Sequence, residues 1–268
     1  MPDRRNVNPD IPAFRILDEN SSFIYLYDGS FEGLLTCAAR SLKFKSPPWD
    51  ILPGNTWQPD FFHSPVQVAP SAETAGRFSA WLQRRMGMDA LVKTYYAFIS
   101  GRPGVERMLC EYLETGISAG RRIDDMLSRE EVHRIEMLAM NVTREYHKHL
   151  GFIRFAMLKN RDLLYARIKP ANHILPLLAP HFIDRLPGQP WIIYDEGRML
   201  SILSDGYRWF LNDQIPDGIP ILKDDEKTWQ ELWKAFYRNI GIAERENQKL
   251  MQSLMPKRYW KNMIELQM

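Results

Sequence analysis

The hydrophobic period of this chain changes after His149, and that change limits the fold more than any other feature. From Ser71 to His149 apolar residues recur at helical spacing, and beyond His149 they fall into short strand-like runs. A helical block followed by strand runs predicts an α+β protein.

Within the helical block, Ser71 can cap a helix whose Phe78, Trp81, Leu82 and Met86 share one face. A second helix is predicted from about Asp89 to Ser100 and a third from about Gly104 to Glu114. Ser128-Arg-Glu-Glu131 reads as a capping box ahead of Val132, Ile135, Leu138, Ala139, Val142 and Tyr146. Aromatic and methionine stripes at this spacing are core positions.

Ahead of the block, Phe23 to Asp28 reads as a buried strand. Asp28-Gly-Ser30 makes a turn, and a helix over Phe31 to Phe44 carries Leu34, Leu35, Ala38 and Leu42. Residues 1–22 form an N-terminal arm. Residues 45–70 hold Pro47, Pro48, Pro53, Pro59, Pro65 and Pro70, too many for a regular element, so a long loop or linker is expected. After His149, Gly151 to Leu158 and Asp162 to Lys169 read as a hairpin across Lys159-Asn160-Arg161. A helix over His173 to Leu186 is interrupted by Pro176 and Pro180, and a second hairpin turns at Glu196-Gly197. A long amphipathic helix from Glu226 to Leu254 and a short one to Leu266 end the chain. The expected architecture is a mainly antiparallel sheet of the residue-23 strand and both hairpins, covered by helices. It forms a single domain over residues 23–268 with a helical insertion or subdomain at 71–127.

Composition narrows the function less than the pattern does. With 45% apolar and 25% charged residues the chain is ordinary for a globular protein, and a net charge of +2 does not announce a polyanion partner. Any nucleic-acid argument therefore rests on where the charge lies. Cys37 and Cys110 are far apart in apolar helical contexts and read as buried thiols of a reducing compartment, not a disulfide or metal site. The N-terminus has no apolar run typical of a signal peptide, and no segment approaches 18 apolar residues. The expected location is the cytoplasm, with no membrane partner.

Nucleotide-loop, nucleophile-elbow and zinc-protease signatures are absent, and no metal or cofactor is expected. His147 and His149 lie at a helix end, where a histidine serves as a dipole partner more often than as a ligand. In the first hairpin a two-residue Asn160-Arg161 turn would place Arg154 opposite Arg167, with Phe152 opposite Lys169 and Ala156 opposite Tyr165. Paired arginines repel unless an anion such as phosphate lies between them, or unless one pairs internally with Glu145, Asp195 or Glu196. Asp195, Glu196 and Arg198 at the second turn offer acid–base or metal chemistry, or else form an internally paired solvated turn.

The strongest charge pattern is C-terminal. Between Lys234 and Lys261 seven cations (Lys234, Arg238, Arg245, Lys249, Lys257, Arg258 and Lys261) face two acids, Glu244 and Glu246. On the long helix Trp229, Leu232, Phe236, Ile240, Ala243, Leu250 and Leu254 make an expected core stripe, with Arg238, Arg245 and Lys249 on a neighbouring face. Lys257, Arg258, Tyr259, Trp260 and Lys261 then combine cations that hold a phosphate backbone with rings that stack on bases. The alternative is a solvated face with Tyr259 and Trp260 anchoring the tail in the core.

Phe23-Ile-Tyr-Leu-Tyr-Asp-Gly-Ser-Phe-Glu-Gly33, Gly151-Phe-Ile-Arg-Phe155, His181-Phe182 with Arg185, Trp191-Ile-Ile-Tyr-Asp195 with Arg198, and Arg245-Glu-Asn247 before Met255-Pro-Lys-Arg-Tyr-Trp-Lys261 form an ordered set. Over about residues 23–265 this set resembles a bacterial family labelled "probable DNA metabolism protein", a domain of unknown function. Its members are typically encoded beside a putative radical-SAM DNA modification or repair protein, and some are fused ahead of a uracil-DNA-glycosylase-like domain. This chain ends without such an extension and lacks a CxxxCxxC cluster, so neither activity carries over. The resemblance implies a DNA-binding accessory or adaptor to a radical-SAM-type repair partner, with Arg185 and Arg198 added to the candidate phosphate-binding residues. The second expectation is an enzyme on nucleic acid or nucleotides that uses Asp195, Glu196 and His181 with Arg198.

Overall fold

A computed structural model describes residues 14–44, 47–159, 162–213, 226–240 and 248–266, without the side chains at 227, 236–240 and 248. The chain divides into two compact units, Met1–Asn141 and Val142–Met268.

In the first unit, β1 (Phe23–Tyr27) is the central strand of a three-stranded sheet in the order β2-β1-β3. Asp28 ends it in a turn: its Oδ1 accepts from the Ser30 amide at 3.1 Å and the Ser30 hydroxyl at 2.7 Å. The helix α1 (Phe31–Phe44) follows, and β2 (Ile51–Pro53) and β3 (Ser64–Gln67) flank β1, both parallel to it. The proline-rich stretch thus holds two strands that sequence reasoning excluded. Both are edge strands, where a proline's missing N–H leaves no ladder partner unpaired.

The helices α2 (Ala72–Met86), α3 (Met88–Ile99) and α4 (Val105–Ala119) lie where the periodicity predicts them. Ser71 caps α2 as expected, its hydroxyl accepting from the Thr74 amide at 3.2 Å. A 3₁₀ turn at Gly120–Asp125 leads to α5 (Glu130–Phe152), which crosses the division between the units. Leu34, Leu82, Leu109, Leu113, Ile117 and Ile135 are almost wholly buried in the core of the first unit. Each such side chain contributes about 1.5–3 kcal/mol over its exposed state. Cys37 and Cys110 lie in the same core as free thiols. Burial pushes Cys37 up to about 12 and Cys110 well above the ordinary thiol value, so neither is a thiolate at neutral pH.

The second unit carries a five-stranded sheet, β4 (Ala156–Met157), β5 (Leu164–Ile168), β6 (Trp191–Asp195), β7 (Leu200–Ser204) and β8 (Trp209–Asn212), in that order. β5 and β6 are parallel, and the other neighbours are antiparallel. The helix α6 (Leu175–Arg185) makes the crossover between β5 and β6, with Pro176 in its first turn and Pro180 inside. The C-terminal elements are α7 (Glu226–Ile240), α8 (Gln248–Leu254) and two 3₁₀ segments, Lys257–Asn262 and Ile264–Leu266.

Helix and sheet are mixed, but the mainly antiparallel sheet is overturned. One sheet is wholly parallel, the other is mixed, and β1 does not join the later hairpins. Both parallel pairings of successive strands, β1–β2 and β5–β6, enclose a helix. A helical crossover returns the chain to the same end of the sheet, whereas a tight turn reverses it. The second hairpin is present as β6–β7, with Asp195 opposite Leu200. In the first, Ala156 does face Tyr165, but β4 is only two residues long and Phe152 ends α5 instead of facing Lys169. The expected core stripe on the final helices also fails among the described residues: Trp229, Leu232, Leu250 and Leu254 are all more than half exposed.

Candidate anion-binding site

At the carboxyl end of the parallel pair β5–β6 the two-residue strand period decides which groups are buried. Trp191, Ile193 and Asp195 alternate onto the buried face of β6, so Asp195 ends the row with 0% exposure. A carboxylate there requires internal partners. Its Oδ1 accepts from the Gly197 amide at 2.9 Å and the Arg198 amide at 3.3 Å, and its Oδ2 from the Arg198 guanidinium at 3.1 Å. Arg198 also donates to the carbonyls of Pro170 at 3.2 Å and Ala171 at 2.7 Å. Asp195 and Arg198 therefore fasten the β6–β7 turn to the segment that leaves β5.

Beside this clamp stands a second buried carboxylate. Glu145 on α5 is 3% exposed and accepts from the amides of Ala171 at 2.9 Å and Asn172 at 2.7 Å. The Asn172 side-chain amide adds a bond at 2.6 Å, the Tyr259 hydroxyl one at 2.7 Å and the Arg258 guanidinium one at 3.2 Å. Burial raises its carboxyl, but the bonds from Tyr259, Ala171 and Asn172 outweigh burial and hold it below its ordinary value. One turn further along α5, the Nδ1 of His149 lies 2.9 Å from the Glu145 carbonyl. A carbonyl only accepts, so Nδ1 carries the proton and Nε2 the lone pair. Burial, aided by Arg258, lowers the His149 pKa and keeps the ring neutral.

Cations ring these buried acids. Arg167 and Lys169 stand on the exposed face of β5 and its extension, and Arg258 and Lys261 come from the 3₁₀ segment that follows Pro256. Glu196, diagonal to Arg167 on the same face, binds Arg167 at 3.6 Å through one oxygen and Lys261 at 3.2 Å through the other. Arg258 lies over the Tyr259 ring at 4.6 Å and also donates to its hydroxyl. The site counts five cations (Arg167, Lys169, Arg198, Arg258, Lys261) against three carboxylates (Glu145, Asp195, Glu196). The notch between His149, Arg167, Lys169, Arg258 and Tyr259 holds only about 10 Å³, roughly one water-sized guest. It suits one oxygen of an anion resting on its rim and is too small to enclose a nucleotide.

Residues 103–265 match a family model described as a domain of unknown function, DUF4130. The chain belongs to that family. The DUF4130 match covers more than half the chain and takes in every residue of the site. No curated protein and no solved structure matches the chain.

The structure brings together only part of the predicted set. Arg154 does not face Arg167. It pairs with the buried Glu265 at 2.6 Å, donates to the Gly151 carbonyl at 2.7 Å and lies 5.7 Å from the Trp233 ring centre. His181 packs edge-on to Phe182, and its Nε2 is buried without a hydrogen-bond partner among the described residues, outside the notch. Arg185 is exposed at the end of α6 and Lys249 on α8. Lys257 lies 5.9 Å from the Trp260 ring centre, and the indole of Trp260 donates to the Met255 carbonyl at 2.8 Å. The side chain of Arg238, and Arg245 altogether, lie outside the described residues, as do Asn160 and Arg161. Sequence reasoning missed Asn172, Lys169 and the pairing of Glu145 with Tyr259. Among the described residues no group of three or more His, Cys, Asp or Glu is placed to hold a metal ion, and no helix is long and apolar enough to cross a membrane.

Proposed function

We propose that this DUF4130 chain is a nucleic-acid-binding accessory protein of DNA metabolism, which meets the phosphate backbone with the cations at the β5–β6 carboxyl end. The observation that carries this reading is the charge arrangement: Arg167, Lys169, Arg258 and Lys261 are exposed at and beside a shallow notch, and although Glu196 pairs with Arg167 and Lys261 and Glu145 with Arg258, the cations outnumber these acids. Exposed cations give affinity by releasing counterions and need no deep pocket. The DNA-repair setting and the radical-SAM-type partner draw on the motif resemblance, with its shared Trp191 to Asp195, Arg198 and Met255 to Lys261 segments.

Fluorescence anisotropy with labelled single- and double-stranded DNA tests this reading, at about 50 and 200 mM salt. In Arg167→Gln/Lys169→Gln/Lys261→Gln the salt slope is expected to shrink by about 0.7–0.9 for each phosphate no longer neutralised. A triple variant with unchanged slope, or a wild type that binds neither DNA with or without its partner, removes the proposal.

One observation favours a second reading, an enzyme on nucleic acid or nucleotides. Neutral His149, which lines the notch and whose Nδ1 proton faces the Glu145 carbonyl so that Nε2 carries the lone pair, is in the state of a general base. The acids expected for this role, Asp195 and Glu196, are both ion-paired. Strand-scission, base-release and nucleotide-hydrolysis assays distinguish the two: turnover abolished in His149→Asn supports catalysis, and its absence in the wild type removes it.

A further inference from the structure

In the first unit α1 and α2 open a groove of about 770 Å³. That lies within the range of small-ligand pockets, roughly 300–1,000 Å³. Helical spacing aligns Arg40, Lys43 and Phe44 along one wall, and Arg77, Trp81 and Arg84 along the other. No carboxylate lines it among the described residues. Glu73, the nearest acid in sequence, touches Arg77 at 3.6 Å with both side chains over 80% exposed. Such a pair is weak and yields readily to a better anion. Arg40, Lys43 and Arg84 have no ion-pair partner among the described residues.

The aromatic groups are as informative as the charges. Phe44 is 62% exposed at the end of α1, with Lys43 at 5.3 Å and Arg40 at 5.9 Å from its ring centre. Trp81 stacks on Phe78 at 5.7 Å and an interplanar angle of 19°. Arg40 also lies 5.6 Å from the Tyr25 ring centre, and an exposed phenyl ring flanked by cations that have no carboxylate partner among the described residues suits a ligand that is at once anionic and flat. A simple phosphate would not use the ring, and a neutral apolar ligand would not use the arginines. Double-stranded DNA offers phosphates but hides its base faces, so the flat part must come from an unpaired base.

We propose that the α1–α2 groove binds a nucleotide unit of single-stranded nucleic acid, its phosphates on Arg40, Arg77 and Arg84 and its base on Phe44. The proposal stands on the groove's own residues and does not depend on the β5–β6 reading.

The test uses the full chain and a labelled oligodeoxythymidine, with thymidine monophosphate and inorganic tripolyphosphate as competitors. Phe44→Ala is expected to weaken oligonucleotide binding about tenfold, the loss of one stacked base. Arg40→Gln/Arg84→Gln is expected to reduce the salt slope by about 1.4, two single-strand phosphates. Both losses persist in an Arg167→Gln/Lys261→Gln background, which separates this groove from the other site. A monophosphate that competes as tightly as the oligonucleotide assigns the same groove to free nucleotides. Unchanged affinity in Phe44→Ala, or tripolyphosphate displacing DNA as well as the monophosphate does, overturns the proposal and leaves a plain anionic-ligand patch.

Discussion

Tyr259 donates its phenolic hydrogen to Glu145 at 2.7 Å, joining groups 114 residues apart in the chain. Through this bond the C-terminal 3₁₀ segment is held to α5 within the second unit, and Arg258 is carried to the notch with it. Tyr259→Phe leaves Glu145 its bonds from Ala171, Asn172 and Arg258, so the expected cost is about 1–2 kcal/mol. Glu145→Ala strands several donors at once and is expected to cost roughly 3–5 kcal/mol. Urea denaturation of the two variants checks the order. Equal losses would mean that Tyr259 alone, rather than the cluster, holds the segment.

Sequence analysis leaves Asp195 between acid–base chemistry and an internally paired turn, and in the structure it is buried and ion-paired with Arg198. Asp195→Asn removes the charge that faces Arg198 inside the clamp, at an expected cost of about 3 kcal/mol. Arg198→Ala is expected to match it within about 1 kcal/mol, because both changes break the same buried pair. DNA affinity of Asp195→Asn, measured where it remains folded, should not change. A folded Asp195→Asn that no longer binds DNA would place Asp195 in the binding surface.

How much of this is readable from sequence depends on whether the signal is local. The α1 boundaries, the Ser71 cap and the β6–β7 turn each follow from a few adjacent residues, and all three appear as expected. Parallel pairing is not readable, since nothing in Phe23 to Tyr27 or Leu164 to Ile168 states which edge receives the next strand. The strands at Pro53 and Pro65 are hidden because their stability comes from β1 and not from their own propensity. Arg167 reads correctly as a cation in need of a counter-charge, and Glu196, one of the acids anticipated for that role, provides it. Arg154 finds Glu265 instead, 111 residues away, a partner that spacing could not suggest. Tyr259 reads from sequence both as a base-stacking ring and as an anchor, and its burial shows the anchor.

Gly206 gives a test of the turn between β7 and β8. Its φ of +91° belongs to the region that favours glycine, and an added Cβ would lie 2.5 Å from the carbonyl carbon of Gly188. The neighbouring backbones are tied by the Gly188 amide donating to the Gly206 carbonyl at 3.2 Å. Backbone atoms cannot rotate aside as a side chain can, so Gly206→Ala is expected to cost more than about 2 kcal/mol. Gly76→Ala, on α2 with open space around it, is expected to be neutral or stabilising by up to about 1 kcal/mol. Thermal unfolding of the pair checks the contrast, and two similar midpoints would contradict it.

The second unit should lose stability in mild acid, with a sign that follows from its histidines. Burial lowers the pKa of His149 from an ordinary 6.5, and burial beside Arg198 does the same to His173, whose Nδ1 is buried without a hydrogen-bond partner among the described residues. A base whose folded pKa is depressed contributes stability that is fully present above pH 6.5. That contribution is lost as pH falls below this value toward the folded pKa, because the unfolded chain takes up the proton first. Each histidine adds a slope of at most about 1.4 kcal/mol per pH unit in that window. Glu145, also held below its ordinary value of 4.5, adds its loss only at lower pH. In the first unit Asp50, Glu106 and Glu114 are raised by burial and act in the opposite sense, so raw stability mixes both signs. Comparing wild type with His149→Asn cancels every group but one, since the asparagine amide can still donate to the Glu145 carbonyl. The stability advantage of the wild type should narrow steadily from pH 7 to about pH 5. An advantage that stays constant over that range would mean that His149 has the same pKa folded and unfolded, and that burial does not hold it neutral.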